Sequence, residues 1–465
     1  MRDNGPLKIG LAPIKRGTTR METALLQKQL ILQRMADITP ENVALVGIED
    51  VLPEGLLYCH EQVAAVEKAF KRAGVHALFL PHCDFGCEEV VGQLAKRMGV
   101  PVLIWGNRDP YPDYPGGKDR DTQCGTLAST KALQRYGVPF SYILNTDVED
   151  APLKRGFEDF CAVANVVRRF RGMRILLAGT RPQAFLSVIY NEDELLRRFG
   201  IEVYPWGSAA WLEAADRILA ERADEVTREM QAFARQVDVS DLTYERQRRQ
   251  AALVLALCEM AERHDIDGVA MECWSLLPER YGISGCQIVG QLCQRGLPCA
   301  CEGDVLGAVT AVMMQAAALD KEPVFFSDIT SRHPEQDNTE LLWHCGPYPP
   351  SLAHPDTPPK STFHGRGAFQ LKNGPITIAR LDAANGRYSL FSGEGRGVDG
   401  PPKKGNYVWL EVDCWADWEE KIVFGPYIHH VAGAYGQYSQ ILSEACKYLG
   451  GVSPDPMRPV KRVLG

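Results

Sequence analysis

The chain lacks any apolar run long enough to cross a bilayer. Its longest weakly polar stretch, Val305–Leu319, is closed by Asp304 and Asp320 and falls short of the roughly 20 residues a membrane helix needs. The N-terminal "MRDNGPLKIGLAPIKRG" has no apolar core of the kind a signal peptide carries, so a cytoplasmic protein is expected. An excess of positive charge is missing as well. The formal net charge is −8, with no basic stripe and no lysine-rich helix, which argues against nucleic-acid and membrane-surface partners. Paired metal-binding cysteine motifs are also absent. Cys83 and Cys87 form CxxxC, and Cys299 and Cys301 form CxC, each without a matching second half, so no structural zinc site is expected. In this setting the fourteen cysteines read as reduced, mostly buried thiols. There is no internal repeat and no low-complexity segment.

What is present suits a large folded chain. With 465 residues, 45% hydrophobic and 24% charged, it can bury a substantial core, and at roughly 150 residues per domain it should form about three domains. "LKIGLAPI", "VALVGIED", "VHALFLP", "VPVLIWG" and "VPFSYIL" read as strands separated by amphipathic helices, the grammar of parallel βαβ units. The pattern restarts after residue 155. "MRILLAGT", "IEVYPWG", "DGVAMECWS", "LPCACEG" and "EPVFFSDI" are the strands of a second α/β unit, and one long charged helix is predicted from Trp211 to about Gln236. Past residue 345 proline and glycine take over. "GPITIARLD" and "GRYSLFSGEG" then form a predicted hairpin about Asn385–Gly386, a two-residue turn signal. The expected architecture is α/β: two Rossmann-like α/β domains (1–155 and 156–345) and a β-rich C-terminal domain (346–465) closed by a helix.

In open α/β sheets ligands bind beyond the carboxyl ends of the strands. Three strands of the second unit end on polar groups: Glu272 with Trp274, Glu302, and Asp328. Asp304 reads most simply as the N-cap of the helix that follows it. Glu302 is harder to explain that way, because it follows a buried strand and an uncompensated carboxylate there is costly. A cation would supply the compensation. His344 in "LLWHCG" and the pair His429–His430 in "YIHHVAGAYG" offer imidazoles. On a strand, adjacent histidines point to opposite faces, so one of the pair should reach a given ion. Two carboxylates with an imidazole select Mn²⁺ or Mg²⁺, with Co²⁺ possible, over a thiolate zinc site.

In order along the chain, "CEGDVLGAVT", "FFSDIT", "HCGPYP" and "HHVAGAYG" resemble the L-fucose isomerase family and, more loosely, the L-arabinose isomerases. "LKIGLAP", "LIWGN" and "CGTLASTKALQRYGVPFSYILNTDVEDA" are similar to the family's first domain. The resemblance implies an aldose–ketose isomerase using Mn²⁺, and a homo-oligomer, with a hexamer favoured, that has active sites near subunit contacts. It also implies Glu302, Asp328 and His430 as metal ligands, with Glu302 and Asp328 exchanging protons. His344 resembles a ligand of the arabinose branch. Ser327 stands where that branch has a glutamate, which favours the fucose-type site. Substrate contacts are expected from Trp274, Arg16, His344 and His429. Rival readings are an isomerase of a phosphorylated or sulfonated sugar, drawing on Arg16, Arg20, Arg181 and Lys360, and a sugar-binding protein without catalysis.

Overall fold

The computed structural model describes residues 5–110 and 120–465. It divides into two compact units: one runs from Arg169 to Val460, and the other takes the described residues up to Arg168 together with Lys461–Gly465. Among the described residues no helix is long and apolar enough to cross a membrane.

The N-terminal unit is built on a parallel sheet of β1 (Leu7–Leu11), β2 (Val43–Val46), β3 (Ala77–His82), β4 (Val102–Gly106) and β5 (Ser141–Ile143). Its order is β5–β4–β3–β1–β2, and the chain's last strand, Val463–Leu464, is added beside β5. The strands are buried on both faces. One core gathers Phe79, Trp105 and Phe157 with Ile31 and Met35, and the other gathers Leu78, Ile104, Val66, Phe70 and Leu94. The helices between strands stop where the sequence places glycine. Gly74 and Gly137, for example, take left-handed φ values of 68° and 65° as C-caps, a backbone that costs glycine no Cβ clash.

The larger unit contains a four-stranded parallel sheet of β6 (Arg174–Ala178), β7 (Glu202–Trp206), β8 (Gly268–Met271) and β9 (Cys299–Cys301), in the order β7–β6–β8–β9. The helix expected from Trp211 to about Gln236 is two helices, Ser208–Glu221 and Ala223–Ala234. They break at Arg222, whose φ of −130° leaves the helical region while its guanidinium binds Glu225 and Glu259.

The second sheet of this unit comprises β10 (Phe325–Arg332), β11 (Thr339–His344), β12 (Lys360–Ser361), β13 (Gly367–Gln370), β14 (Gly374–Ala384), β15 (Arg387–Val398), β16 (Asn406–Glu411), β17 (His430–Tyr435) and β18 (Val452–Pro456). Because β15 also pairs with β16, six of these strands close a ring, β16–β11–β10–β17–β14–β15. One apolar cluster draws on all six, through Phe325, Leu342, Ile376, Phe391, Val408 and Val431. The strand "EPVFFSDI", expected at the end of the second α/β unit, belongs to this ring. β10 pairs antiparallel with β11 and β17, and antiparallel neighbours need no crossover helix. The Asn385–Gly386 turn is present, with Ala384 opposite Arg387 and φ values of 52° and 73°.

The helix Val305–Ala317 is buried along its whole length. It packs against β8 and β9 on one side and β14 and β17 on another, so every face meets protein and the sequence has no polar stripe to show.

Candidate metal centre

The centre lies entirely within the larger unit. It forms where the carboxyl end of β9 meets the strands β17, β10 and β11. After Cys301 the backbone turns through two consecutive left-handed residues, Glu302 (φ 64°) and Gly303 (φ 65°). A Cβ at Gly303 would stand 3.1 Å from the backbone of Arg181, so glycine is required there on two grounds. Glu302 has no such excuse. A non-glycine residue held at positive φ costs on the order of 1 kcal/mol and concentrates at functional sites. Here it aims the carboxylate. In the barrel, Asp328 of β10 lies directly opposite His430 of β17 and one position from His344 of β11.

Glu302 Oε2 is 3.0 Å from His430 Nε2, Asp328 Oδ1 is 3.5 Å from the same nitrogen, and His344 Nε2 is 3.9 Å from Asp328 Oδ1. Ligand atoms of Glu302, His344 and His430 fall within 4.8 Å of one another, as do those of Asp328, His429 and His430. Asp328 Oδ1, His344 Nε2 and His430 Nε2 are buried without a hydrogen-bond partner. Such orphans are rare in folded proteins.

The tautomers separate the two buried histidines. His430 Nδ1 is 2.8 Å from Asp304 Oδ2. Asp304 is ionised: burial alone would raise its pKa, but Arg380 and His430 outweigh that and hold it well below the usual carboxylate range. Nδ1 therefore carries a proton and donates it, which leaves Nε2, the nitrogen facing Glu302 and Asp328, as the one that can ligate; burial would lower the ring's pKa, but Asp304, Glu302 and Asp328 together raise it. A cation placed among Nε2 and the two carboxylates would take over the role of that proton, and the donor set fits a divalent ion. His344 is arranged the other way. Its Nδ1 accepts the backbone N–H of Cys345 at 2.9 Å, so Nε2 carries a proton and presents a donor; burial would lower the ring's pKa, but Asp328, Cys345 and Glu302 raise it to about 10.

Asp304 does more than the expected N-cap. Its Oδ1 accepts Gly307 N–H at 2.9 Å, and its carboxylate also receives the Arg380 guanidinium, with Nη2 to Oδ1 at 3.2 Å. Arg380 is held in turn by Asp382 at 3.0 Å. This buried chain, Asp382–Arg380–Asp304–His430, fixes the ring orientation in the way outer partners orient metal-ligating imidazoles. Glu302 stays ionised too: burial pushes its pKa up, and His430, His344 and the Trp274 indole N–H together bring it below its ordinary value.

Trp274 donates from Nε1 to Glu302 Oε1 at 2.8 Å yet is 52% exposed. Its ring stacks on Phe185, with centroids 5.6 Å apart, and Phe185 also stacks on His429 at 5.7 Å. His429 was expected to face away from His430 by strand alternation. It precedes the first residue of β17, so the alternation does not apply, and it lies at the rim of the same cluster. Arg16 is in the N-terminal unit, where its guanidinium lies over Phe85 at 4.3 Å; it is not among the groups assembled here. Of the other cations considered for an anionic sugar, Arg181 donates to the carbonyls of Pro182, Gln183 and Phe185. Lys360 pairs with Asp241 at 3.0 Å. Phe185, Arg380 and the second role of Asp304 were missed in the sequence. Arg380 sits within "TIARLD" as the one cation of an apolar strand, and that was the available signal.

Buried carboxylates and imidazoles able to hold a metal ion, rimmed by aromatic rings, define the kind of site, and comparison with known proteins gives the family. Residues 10–171 match the domain described as fucose/sulfoquinovose isomerase, N-terminal domain. Residues 359–453 match the L-fucose isomerase, C-terminal domain. A sulfoquinovose isomerase of Priestia megaterium is 23% identical over 446 residues, 94% of this chain and 96% of that one. One from Clostridium sp. (strain MSTE9) is 27% identical over 289 residues, covering 60% and 61%. A D-allose-bound periplasmic solute binding protein of Actinobacillus succinogenes is 12% identical and covers 68% of this chain and 89% of that one. Its TM-score of 0.16 is too low to bear on the fold. The chain belongs to the fucose isomerase family and is an aldose–ketose isomerase.

Proposed function

We propose that the protein is a divalent-metal-dependent isomerase of a sulfonated hexose, with Mn²⁺ as the ion and Glu302, Asp328 and His430 as the residues that hold it. The convergence of these three side chains, with Asp328 Oδ1 and His430 Nε2 left without partners, carries the metal assignment. A mostly oxygen donor set with one imidazole suits Mn²⁺, with Mg²⁺ or Co²⁺ as substitutes. The sulfonated substrate is supported by the relatives named sulfoquinovose isomerase, which align along nearly the whole chain. The neutral alternative is a sugar of the L-fucose or D-arabinose kind.

Moving a carbonyl between C1 and C2 requires a proton to leave one carbon and return to its neighbour. The bound cation supplies Lewis-acid polarisation of the sugar's carbonyl and hydroxyl oxygens. Glu302 and Asp328 are the bases on hand, and Glu302 is ionised at neutral pH, as a proton acceptor must be. His344 Nε2–H stands ready to donate to a sugar oxygen. Trp274 and Phe185 offer apolar faces to the ring carbons, and Trp274 fixes one oxygen of Glu302 while leaving the other to face the centre. We also read the protein as cytoplasmic and as a homo-oligomer, with a hexamer favoured. The exposed Trp274 at the centre and the exposed Leu186 that follows Phe185 support subunit packing there.

The test is a panel of neutral, phosphorylated and 6-sulfonated aldoses and ketoses with Mn²⁺ present, read as isomer formation. Fastest conversion is expected for the sulfonated pair, with loss on exhaustive chelation and recovery on adding Mn²⁺. Activity that survives chelation overturns the metal assignment. Faster turnover of L-fucose or D-arabinose overturns the substrate.

A further inference from the structure

Directly behind His344 is a pair of thiols that isomerisation does not use. Cys345 follows His344 at the end of β11, and Cys286 is the first residue of the helix Cys286–Gln294. They are 59 positions apart, yet their sulfurs are 2.9 Å from each other. Cys345 is partly exposed and Cys286 is buried. Cys345 also touches the centre twice: its Sγ is 3.3 Å from His344 Nδ1 and its backbone N–H donates to that same nitrogen. Two further thiols, Cys273 and Cys301, are hydrogen-bonded to each other nearby. They are buried, which leaves Cys345 as the solvent-facing member of the group.

We propose that Cys286 and Cys345 are a site of reversible oxidation by peroxide, and that closing this disulfide disables the centre by displacing His344. The chemistry balances in two steps. The Cys345 sulfur attacks one oxygen of hydrogen peroxide, the O–O bond breaks, and one water leaves with Cys345 as a sulfenic acid. The Cys286 sulfur then attacks that sulfur, the S–O bond breaks, and the hydroxyl takes up the Cys286 proton and departs as a second water. Two thiols give up two electrons and two protons, and the peroxide accepts both pairs. The sulfurs must close from 2.9 Å to about 2.05 Å. Cys345 moves toward Cys286, and the backbone N–H that seats Nδ1 of His344 moves with it. Orienting contacts of this kind are worth about 10–100-fold in activity or affinity. The loss of activity rests on the isomerase reading; the cross-link itself does not.

Reduced full-length protein is treated with graded hydrogen peroxide, alkylated without reduction, digested and mapped by mass spectrometry, with isomerase activity followed in parallel. A linked Cys286–Cys345 peptide pair is expected, absent after dithiothreitol, with activity falling at least about tenfold and returning on reduction. Cys286→Ser, or Cys286→Ala if the serine variant folds poorly, should start with ordinary activity, form no link and resist the same dose. Two results overturn the site: both cysteines still alkylated at doses that oxidise the exposed Cys124, or Cys345 linked instead to Cys273 or Cys301. A link that forms without loss of activity, or a Cys286→Ser protein as sensitive as wild type, overturns the control of His344 while leaving the isomerase reading intact.

Discussion

At the scale of single residues, the centre is a problem of charge compensation. Glu302 and Asp328 are acceptors, and His430 can become a third once a cation displaces its Nε2 proton, because Asp304 holds the other proton on Nδ1. Asp304 keeps its negative charge because Arg380 is buried against it. Asp304→Asn retains a side chain able to cap the helix but weakens the pull on His430 Nδ1–H. Mn²⁺ affinity is expected to fall about 10–100-fold, read by isothermal titration calorimetry, with the circular dichroism spectrum preserved. Unchanged affinity would remove Asp304 from the scheme. The sequence already pointed to Glu302 and Asp328, since a carboxylate just past a buried strand advertises its own cost. His430 took the family resemblance to single out, and the support behind it was hidden. Asp304 and Arg380 are 76 positions apart, and a plain N-cap reading already explained the aspartate.

At the scale of elements, β10 carries the site at one end and an unsolved burial problem near the other. Arg332 of β10 is opposite Glu340 of β11, and Glu340 is buried with Oε2 lacking a partner. Burial pushes its pKa up to about 7; Arg332 works against that rise and Glu419 adds to it. The folded value lies above the unfolded value of about 4.3, so the protonated carboxyl is the form the fold prefers. Its contribution to stability is complete below the unfolded value and is lost as pH rises through about 7. Glu340→Gln mimics the protonated form. It should unfold at higher temperature than wild type at pH 8, by the equivalent of about 1–2 kcal/mol, with the gap closing toward pH 4.5. Calorimetry at the two pH values decides it, and a pH-independent difference would refute the burial argument. The strands themselves were legible from alternation and turn chemistry, the Asn385–Gly386 hairpin most plainly. Their partners were not. "FFSDIT" has the same apolar pattern beside a parallel or an antiparallel neighbour, and only the register with His430 and Trp343 places it in the barrel.

At the scale of the whole molecule, the chain does not finish where its last helix does. After Ser439–Leu449 it forms β18 beside β15 and then returns to the N-terminal sheet, where Val463 and Leu464 pair with Tyr142 and Ile143 of β5. Leu464 is buried in the core that contains Ile143, Leu153 and Phe157. The Gly465 carbonyl accepts from the Arg155 guanidinium at 3.4 Å. No stretch of the sequence announces this, because two strand residues carry too little pattern to read and their meaning lies more than 300 positions away. The arrangement still has a measurable consequence. Burying one leucine side chain is worth about 1.5–3 kcal/mol, and a lost strand uncovers the hydrogen-bonding edge of β5. Deleting Lys461–Gly465 should therefore lower the stability of the N-terminal unit by about 2–3 kcal/mol. Amide exchange should quicken at Ser141–Ile143 first, while the amides around Glu302, Asp328 and His430 keep their protection, since those residues belong to the other unit. Unaltered exchange along β5 after the deletion would show that the terminal strand adds nothing to the sheet it joins.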